Sequence, residues 1–471
     1  MKRLFILILS VVFIVSMVFS VIGCKDGTAE ETTDVVEAAE VEETEEVSET
    51  AEVAETAEEE EITDPVTIRF WRHQTPTNEQ LFNEMIEEFK SVEPLITVNF
   101  ESIGINDYDQ KLSVAIAAGD TPDVYAIYDV QFEIFYDKGL IAPVDVTAMG
   151  YSSVEDCLNK RFLPTSMDFA VKDGQLYSAG WAESANWAIV YNKACFDNAG
   201  VAYPSVDKVM TWEEYFELAK SLTLYDDNGN MTQMGEGMFI SNMDNPDGAR
   251  YILDPIFRQL GGLPFDEITG ESLNKDAWIK VGKMMQDASL KGKYGYLDPG
   301  FPTATNAHTE MFAGRIGMAM GGPWAEGWGK SIDENIEMGF APYPQVDSAN
   351  NDSTTGGWVF VINKESSPEQ QIAAAKFIEF ISNDKNSVRW FKDAGLFMPR
   401  NIEGFKEDLL EISPNMEVFF NDAPRSKMTI YGEMGAERWT VLKKMAEAIF
   451  KMGMDPEQAV EDAWSELATI Y

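Results

Sequence analysis

Five tryptophans stand where the pattern of the chain changes between strand and turn: Trp71, Trp181, Trp187, Trp324 and Trp358. Tyr128 stands at the same kind of position. So do six side chains able to make paired hydrogen bonds: Gln74, Asp129, Glu183, Asn186, Glu326 and Arg400. A ring offers a flat apolar face, and carboxylate, amide and guanidinium groups take or give two hydrogen bonds each. Rings covering patches of C–H groups, with such polar groups around them, suit a small polyhydroxylated molecule such as a sugar. His73 lies between Trp71 and Gln74 and is either a ligand contact or a hydrogen-bonded structural residue. Each ring alone is equally compatible with core packing, so the inference rests on the set.

Other chemistries are poorly supplied. Two histidines, His73 and His308, and three cysteines leave little for zinc sites or His-based triads. Neither a metal nor a cofactor is expected. Tyr225-Asp226-Asp227-Asn228-Gly229-Asn230 has the look of a calcium loop, but the glycine falls early and no glutamate takes the twelfth position, so a hairpin turn at Asn228-Gly229 is expected instead. Asp123 sits in a helix-to-strand turn, where a carboxylate serves backbone N–H groups, and is read as structural. Two facing carboxylates would suffice for a secreted glycoside hydrolase. Among 80 Asp and Glu such a pair is easy to find, and no motif singles one out. Cys157 and Cys195 are either a pair or two buried free thiols. The net charge of −44 argues against nucleic acid and against electrostatic attachment to anionic lipid.

The elements that would position these groups are alternating strands and helices. Pro65 to Trp71 is rich in β-formers and reads as a strand, followed by a helix with Phe82, Met85, Ile86 and Phe89 on one face and a second strand at Leu95 to Phe100. Tyr108 to Ala118 is a further helix, closed by Gly119, and Val124 to Ile127 a strand that delivers Tyr128 and Asp129. Arg315 to Met320 reads as a buried strand stopped by Gly321-Gly322-Pro323, with Trp324 next. Repeated β-α-β units imply an α/β fold with parallel strands, and in such sheets ligands sit beyond the strands' carboxyl ends. Further helices are expected at Trp212 to Leu222, capped by Thr211, at Asn274 to Leu290, at Ser367 to Ile381, and after Asp455.

The amino-terminal stretch is of a different kind. Met1-Lys2-Arg3 is basic, and Leu4 to Ile22 is almost unbroken hydrocarbon. It ends at Val21-Ile22-Gly23-Cys24, which resembles the lipobox of bacterial lipoproteins. That likeness implies a signal peptide over 1–23 and acylation of Cys24; a retained membrane-spanning anchor is the alternative. Residues 24–64 read as a disordered acidic tether: Lys25 to Asp64 holds 18 Asp or Glu against one Lys and no aromatic residue. A flexible coil of that length spans ~35 Å on average. Without the tether's −17 and the basic Lys2 and Arg3, the −44 falls to −29, still unsuited to a polyanionic ligand.

Several short motifs occur together: Gly119-Asp120-Thr121-Pro122-Asp123-Val124; Tyr177-Ser178-Ala179-Gly180 followed by Val190-Tyr191-Asn192-Lys193; Phe312-Ala313-Gly314-Arg315-Ile316-Gly317-Met318; Gly356-Gly357-Trp358; and Ala375-Lys376-Phe377-Ile378-Glu379-Phe380-Ile381 followed by Met398-Pro399-Arg400. In this order, behind a lipobox, they resemble the bacterial extracellular solute-binding proteins of the sugar-binding family, the ABC-transporter receptors related to maltose-binding protein. The resemblance covers about residues 65–471. It implies a two-lobed periplasmic-binding-protein-like fold, hinged and joined by several chain crossovers, with lobes at 65–183 plus 342–392 and 184–341 plus 393–471. It also implies a non-enzymatic, monomeric sugar receptor, held by lipid on the outer face of a cell membrane, that delivers its ligand to ABC permease subunits. A receptor of the same fold for a peptide, amino acid or polyol is the alternative within the family. On this reading Trp71, His73, Gln74, Tyr128, Asp129, Glu183, Asn186, Trp324, Glu326, Trp358 and Arg400 are the expected ligand contacts.

Overall fold

The computed structural model describes residues 62–74, 78–163, 166–178, 180–237, 246–263, 274–301, 307–428 and 435–470. The signal segment, Cys24 and nearly all of the acidic tether lie outside the described residues, as does the loop 75–77. Among the described residues no helix is long and apolar enough to cross a membrane.

Thirteen strands are described: β1 Val66–Gln74, β2 Ile96–Gly104, β3 Val124–Tyr128, β4 Val171–Lys172, β5 Gln175–Leu176, β6 Gly180–Asn186, β7 Ala188–Asn192, β8 Leu224–Tyr225, β9 Met231–Glu236, β10 Ile316–Gly321, β11 Met338–Ala341, β12 Ser353–Ile362 and β13 Ser426–Lys427. They form two main sheets. The first runs β13-β12-β3-β1-β2, with β6 also paired to β12; the second runs β11-β7-β10-β9-β8. β1 pairs parallel with β2 and β3, while β12 pairs antiparallel with β3 and β6. Parallel neighbours need a crossover long enough for a helix. Here those crossovers are the helices Glu79–Val92 and Ile105–Ala118.

The helices form where periodicity and punctuation direct. Leu81, Phe82, Met85 and Phe89 make one buried stripe on Glu79–Val92. The stripe meets Phe70 of β1, and Phe377 and Phe380 of the helix Pro368–Ile381, at ring centroid spacings of 5.2–5.3 Å. Gly119 closes Ile105–Ala118 in the left-handed region at φ 70°, its N–H returning to Ala115 and Ile116 carbonyls. Thr211 caps Trp212–Ser221 with a reciprocal bond to Glu214, and Ser367 does the same with Gln370.

The chain leaves the first sheet after β6, so Trp187 is the single residue between the two sheets on the outward crossing. It returns between β11 and β12. Carboxyl ends of β1 and β3 in one sheet, and of β10 in the other, deliver His73, Tyr128 and Trp324 toward this junction.

Candidate ligand-binding site

A row of rings joins the two sheets. His73 stacks on Trp358 with centroids 4.0 Å apart, and Trp358 lies 3.8 Å from Tyr128, its register partner across β12 and β3. Tyr128 is 6.3 Å from Tyr251, on the helix Pro246–Gln259. Tyr251 stacks on Trp187 at 5.2 Å and 15°. Trp187 meets Trp324 edge-on at 6.0 Å, and Trp324 meets His308 at 4.8 Å and Trp328 at 5.9 Å. Trp324 opens the helix Trp324–Ile332 directly after the β10 turn. Offset and edge-on pairs of this kind each add about 0.5–1.5 kcal/mol beyond burial. Both histidines of the chain stand in the row.

One carboxylate sits among the rings. Asp129 is fully buried, and its Oδ1 accepts the Tyr251 hydroxyl at 2.6 Å and the Val130 N–H at 3.0 Å. Tyr251 lies on the helix Pro246–Gln259, whose Gln259 is bonded to Trp212 of the helix Trp212–Ser221, and Asp129 follows β3 of the first sheet, so this bond joins those helices to the first sheet. Gly356 leaves room for it. A Cβ there would stand 2.5 Å from both Asp129 Oδ2 and Tyr251 Cε1. The imidazoles are held neutral. Burial pushes His73 well below the usual histidine value, with the neighbouring Arg72 charge adding to the effect. Burial pushes His308 down to about 4, against a bond to the Met320 carbonyl at 2.7 Å. The row is buried except at Trp324 and Trp328, which are partly exposed, and among the described residues it combines packed apolar rings, neutral imidazoles and one acidic acceptor.

Not every expected contact lies on the row. β1 continues three residues past Trp71, in register with Ser102, Ile103 and Gly104, so Trp71 is a mid-strand residue. Its ring lies between Lys111 Nζ at 4.7 Å and the Arg69 guanidinium at 5.5 Å. The polar candidates are engaged nearby. Gln74 donates to Glu79 Oε2 at 2.6 Å, and Asn186 to the Phe419 carbonyl at 3.0 Å. Glu326 accepts from Lys330 at 2.7 Å and from Ser413 at 2.6 Å. Arg400 is bound to Asp384 at 2.6 Å, near the Phe162 ring and the buried Arg161. Glu183 is placed only by its backbone, opposite Trp358 in the β6–β12 pair; its side chain lies outside the described residues. Trp181 is a core ring whose Nε1 donates to the Ser166 carbonyl at 3.1 Å.

Asp123 receives the Arg69 N–H at 2.7 Å and the Ser366 hydroxyl, a structural bridge between strand and turn. Asp226 Oδ1 accepts from Asn228 and Asn230 N–H groups, closing the β8–β9 hairpin. Cys157 and Cys195 are free and buried. Tyr251 and His308 are the contributors that sequence reasoning missed. His308 carried one weak signal, being one of only two histidines; Tyr251 carried none.

The family described as bacterial extracellular solute-binding protein matches the chain over residues 75–388. The chain belongs to this family. Membership places it outside the cytoplasm and among binding proteins. A maltotriose-binding protein of Pyrococcus abyssi is 25% identical over 324 residues, which is 68% of this chain and 63% of that protein; the match thus spans less than two thirds of that relative. Among solved structures, a Listeria monocytogenes ABC substrate-binding protein in complex with cycloalternan superposes with a TM-score of 0.69 at 20% identity, over 86% of this chain and 99% of that one. A Mycobacterium tuberculosis protein in complex with glycerophosphocholine superposes with a TM-score of 0.70 at 20% identity, over 86% and 98%. These structures share the α/β, two-lobed fold.

Proposed function

We propose that the chain is the substrate-binding lipoprotein of an ABC importer and that it takes a sugar or short oligosaccharide between its two lobes. His73, Tyr128, Trp358, Tyr251, Trp187 and Trp324 supply the stacking faces, and the Asp129 carboxylate accepts hydrogen bonds from hydroxyl groups. One observation carries this reading above all: a row of rings running from one sheet to the other, with a buried carboxylate at its middle. Sugars need that pairing of flat apolar faces with a fixed acceptor. The maltotriose-binding relative points the same way.

Binding energy is gained when the lobes close over the ligand by hinge rotation, and the closed form then meets membrane permease subunits. Acylation at Cys24 anchors the protein to the membrane, with the acidic segment as the link to the globular part. No catalytic step is assigned, since a receptor releases its ligand unchanged. A second reading, the same receptor for a non-sugar solute, draws on the glycerophosphocholine-bound structural relative. Mass spectrometry of ligand released from the purified protein, followed by calorimetric titration with a panel of oligosaccharides, separates the two. A saccharide released and rebound supports the proposal. A non-carbohydrate ligand with no heat from any saccharide overturns it.

A further inference from the structure

The return connection between the sheets, residues 342–353, is bonded to the helices Trp212–Ser221 and Pro246–Gln259 and, toward its end, to Arg425 and β13. The Tyr343 hydroxyl donates to the Ile252 carbonyl. Gln345 takes a backbone bond from Trp212 at 3.0 Å and gives one to Met210 at 2.9 Å. Gln259 is buried and makes four bonds: its Oε1 accepts from Trp212 Nε1 at 2.8 Å and Val346 N at 3.0 Å, and its Nε2 donates to the carbonyls of Pro344 at 3.0 Å and Asp352 at 2.6 Å. Arg425 donates to the carbonyls of Asn351 at 2.6 Å and Tyr343 at 2.9 Å, and Arg258 to that of Ser353 at 2.9 Å. A buried polar network satisfied to this degree holds one arrangement.

The partners change within β12. From Trp358 to Ile362 the strand pairs with β3 of the first sheet. Between the two regimes lie Thr355, Gly356 and Gly357, which face Asn186, Ala185 and Ser184 of β6, the strand that carries the chain outward. Gly356 has φ +152°, a conformation that side chains rarely adopt. Two glycines in succession are suited to absorb the dihedral changes of a hinge.

We infer that the return crossing bends at Gly356–Gly357, while residues 342–353 move with the second-sheet body as one piece, and that Gly356 is the positioning residue that lets Tyr251 reach Asp129. This location of the pivot rests on the receptor reading above. A methyl group on Gly356 would have to push Asp129 and Tyr251 outward by about 1 Å to restore ordinary contact near 3.5 Å. It therefore opposes the one hydrogen bond described here between the two bodies' rings and carboxylate.

Spin labels test this without any ligand. In the full chain carrying Cys24→Ser, labels are placed at the exposed positions Lys90→Cys, on a first-sheet helix, Lys220→Cys, on a second-sheet helix, and Ala349→Cys, on the connection. Cys157 and Cys195 are buried and do not label. Distances 90–349 and 220–349 are measured by pulsed electron resonance in the parent, in Tyr251→Phe and in Gly356→Ala. The expected result is a shift of 90–349 in both variants with 220–349 unchanged. Movement or broadening of 220–349 overturns the rigid connection, and no movement of either distance overturns the pivot. If Gly356→Ala fails to fold by circular dichroism, Tyr251→Phe decides alone. A failed sugar screen with the expected distances removes the ligand reading only; a successful screen with unexpected distances removes this one only.

Discussion

His308 gives the site a dependence on pH that can be worked out from its surroundings. The ring is fully buried against Trp324, and Nε2 donates to the Met320 carbonyl at 2.7 Å. Burial lowers its pKa to about 4, the bond to Met320 acting in the opposite sense. In the unfolded chain the same residue takes a proton below about 6.5. The unfolded state therefore binds more protons between these values, and stability falls as pH drops through that window. At 1.36 kcal/mol per pKa unit, the loss from His308 is about 1.4 kcal/mol at pH ~5.5 and roughly 2.6 kcal/mol at pH ~4.5. His73, lowered by burial and by Arg72, adds a loss of the same sign. Urea unfolding of the parent and of His308→Gln, which keeps an N–H donor and cannot titrate, isolates the term. The difference between the two proteins should change by about 2–3 kcal/mol between neutral pH and pH ~4.5, the parent losing more. Parallel pH profiles for the two proteins would refute the account of a buried, neutral His308.

Two further predictions concern local structure. Thr211→Ala removes the reciprocal cap on Trp212–Ser221 and should cost about 1 kcal/mol in unfolding free energy, with ligand affinity unchanged; an effect on affinity would mean that this helix communicates with the site. Burial pushes the Cys157 and Cys195 thiols up to about 11 and about 12, so neither should react with a thiol reagent at neutral pH until the protein is unfolded in urea. Rapid labelling of the native protein at either residue would contradict their placement.

Much of the fold could be read from punctuation and period. Gly119, Thr211 and Ser367-Pro368 mark helix ends by a backbone requirement that acts locally, and the structure has a helix boundary at each. The stripe Phe82, Met85 and Phe89 marks a buried face in the same way. Where a strand stops is set by its neighbours instead. β1 runs on to Gln74 because Ile103 and Gly104 of β2 are there to pair with it, and those three extra residues exchange Trp71 for His73 at the strand's end. The polar candidates fared differently from the rings. Gln74, Glu326 and Arg400 have long side chains that found partners at Glu79, Lys330 and Asp384, none of them distinguishable in the sequence from solvent-facing charges. Tyr251 reaches Asp129 from 122 residues away, and no local pattern encodes such a contact.

Most direct of all is a paired titration of two tryptophan variants with the saccharide found to bind. Trp324→Ala removes a ring from the row, whereas Trp71→Ala removes one of equal size that lies outside it, between Arg69 and Lys111. If the row is the binding surface, Trp324→Ala weakens affinity by tenfold or more, as expected for about 1.4 kcal/mol of lost stacking, and Trp71→Ala stays within about twofold. The reverse order, or equal losses from both, would contradict the claim that the site is this row of rings.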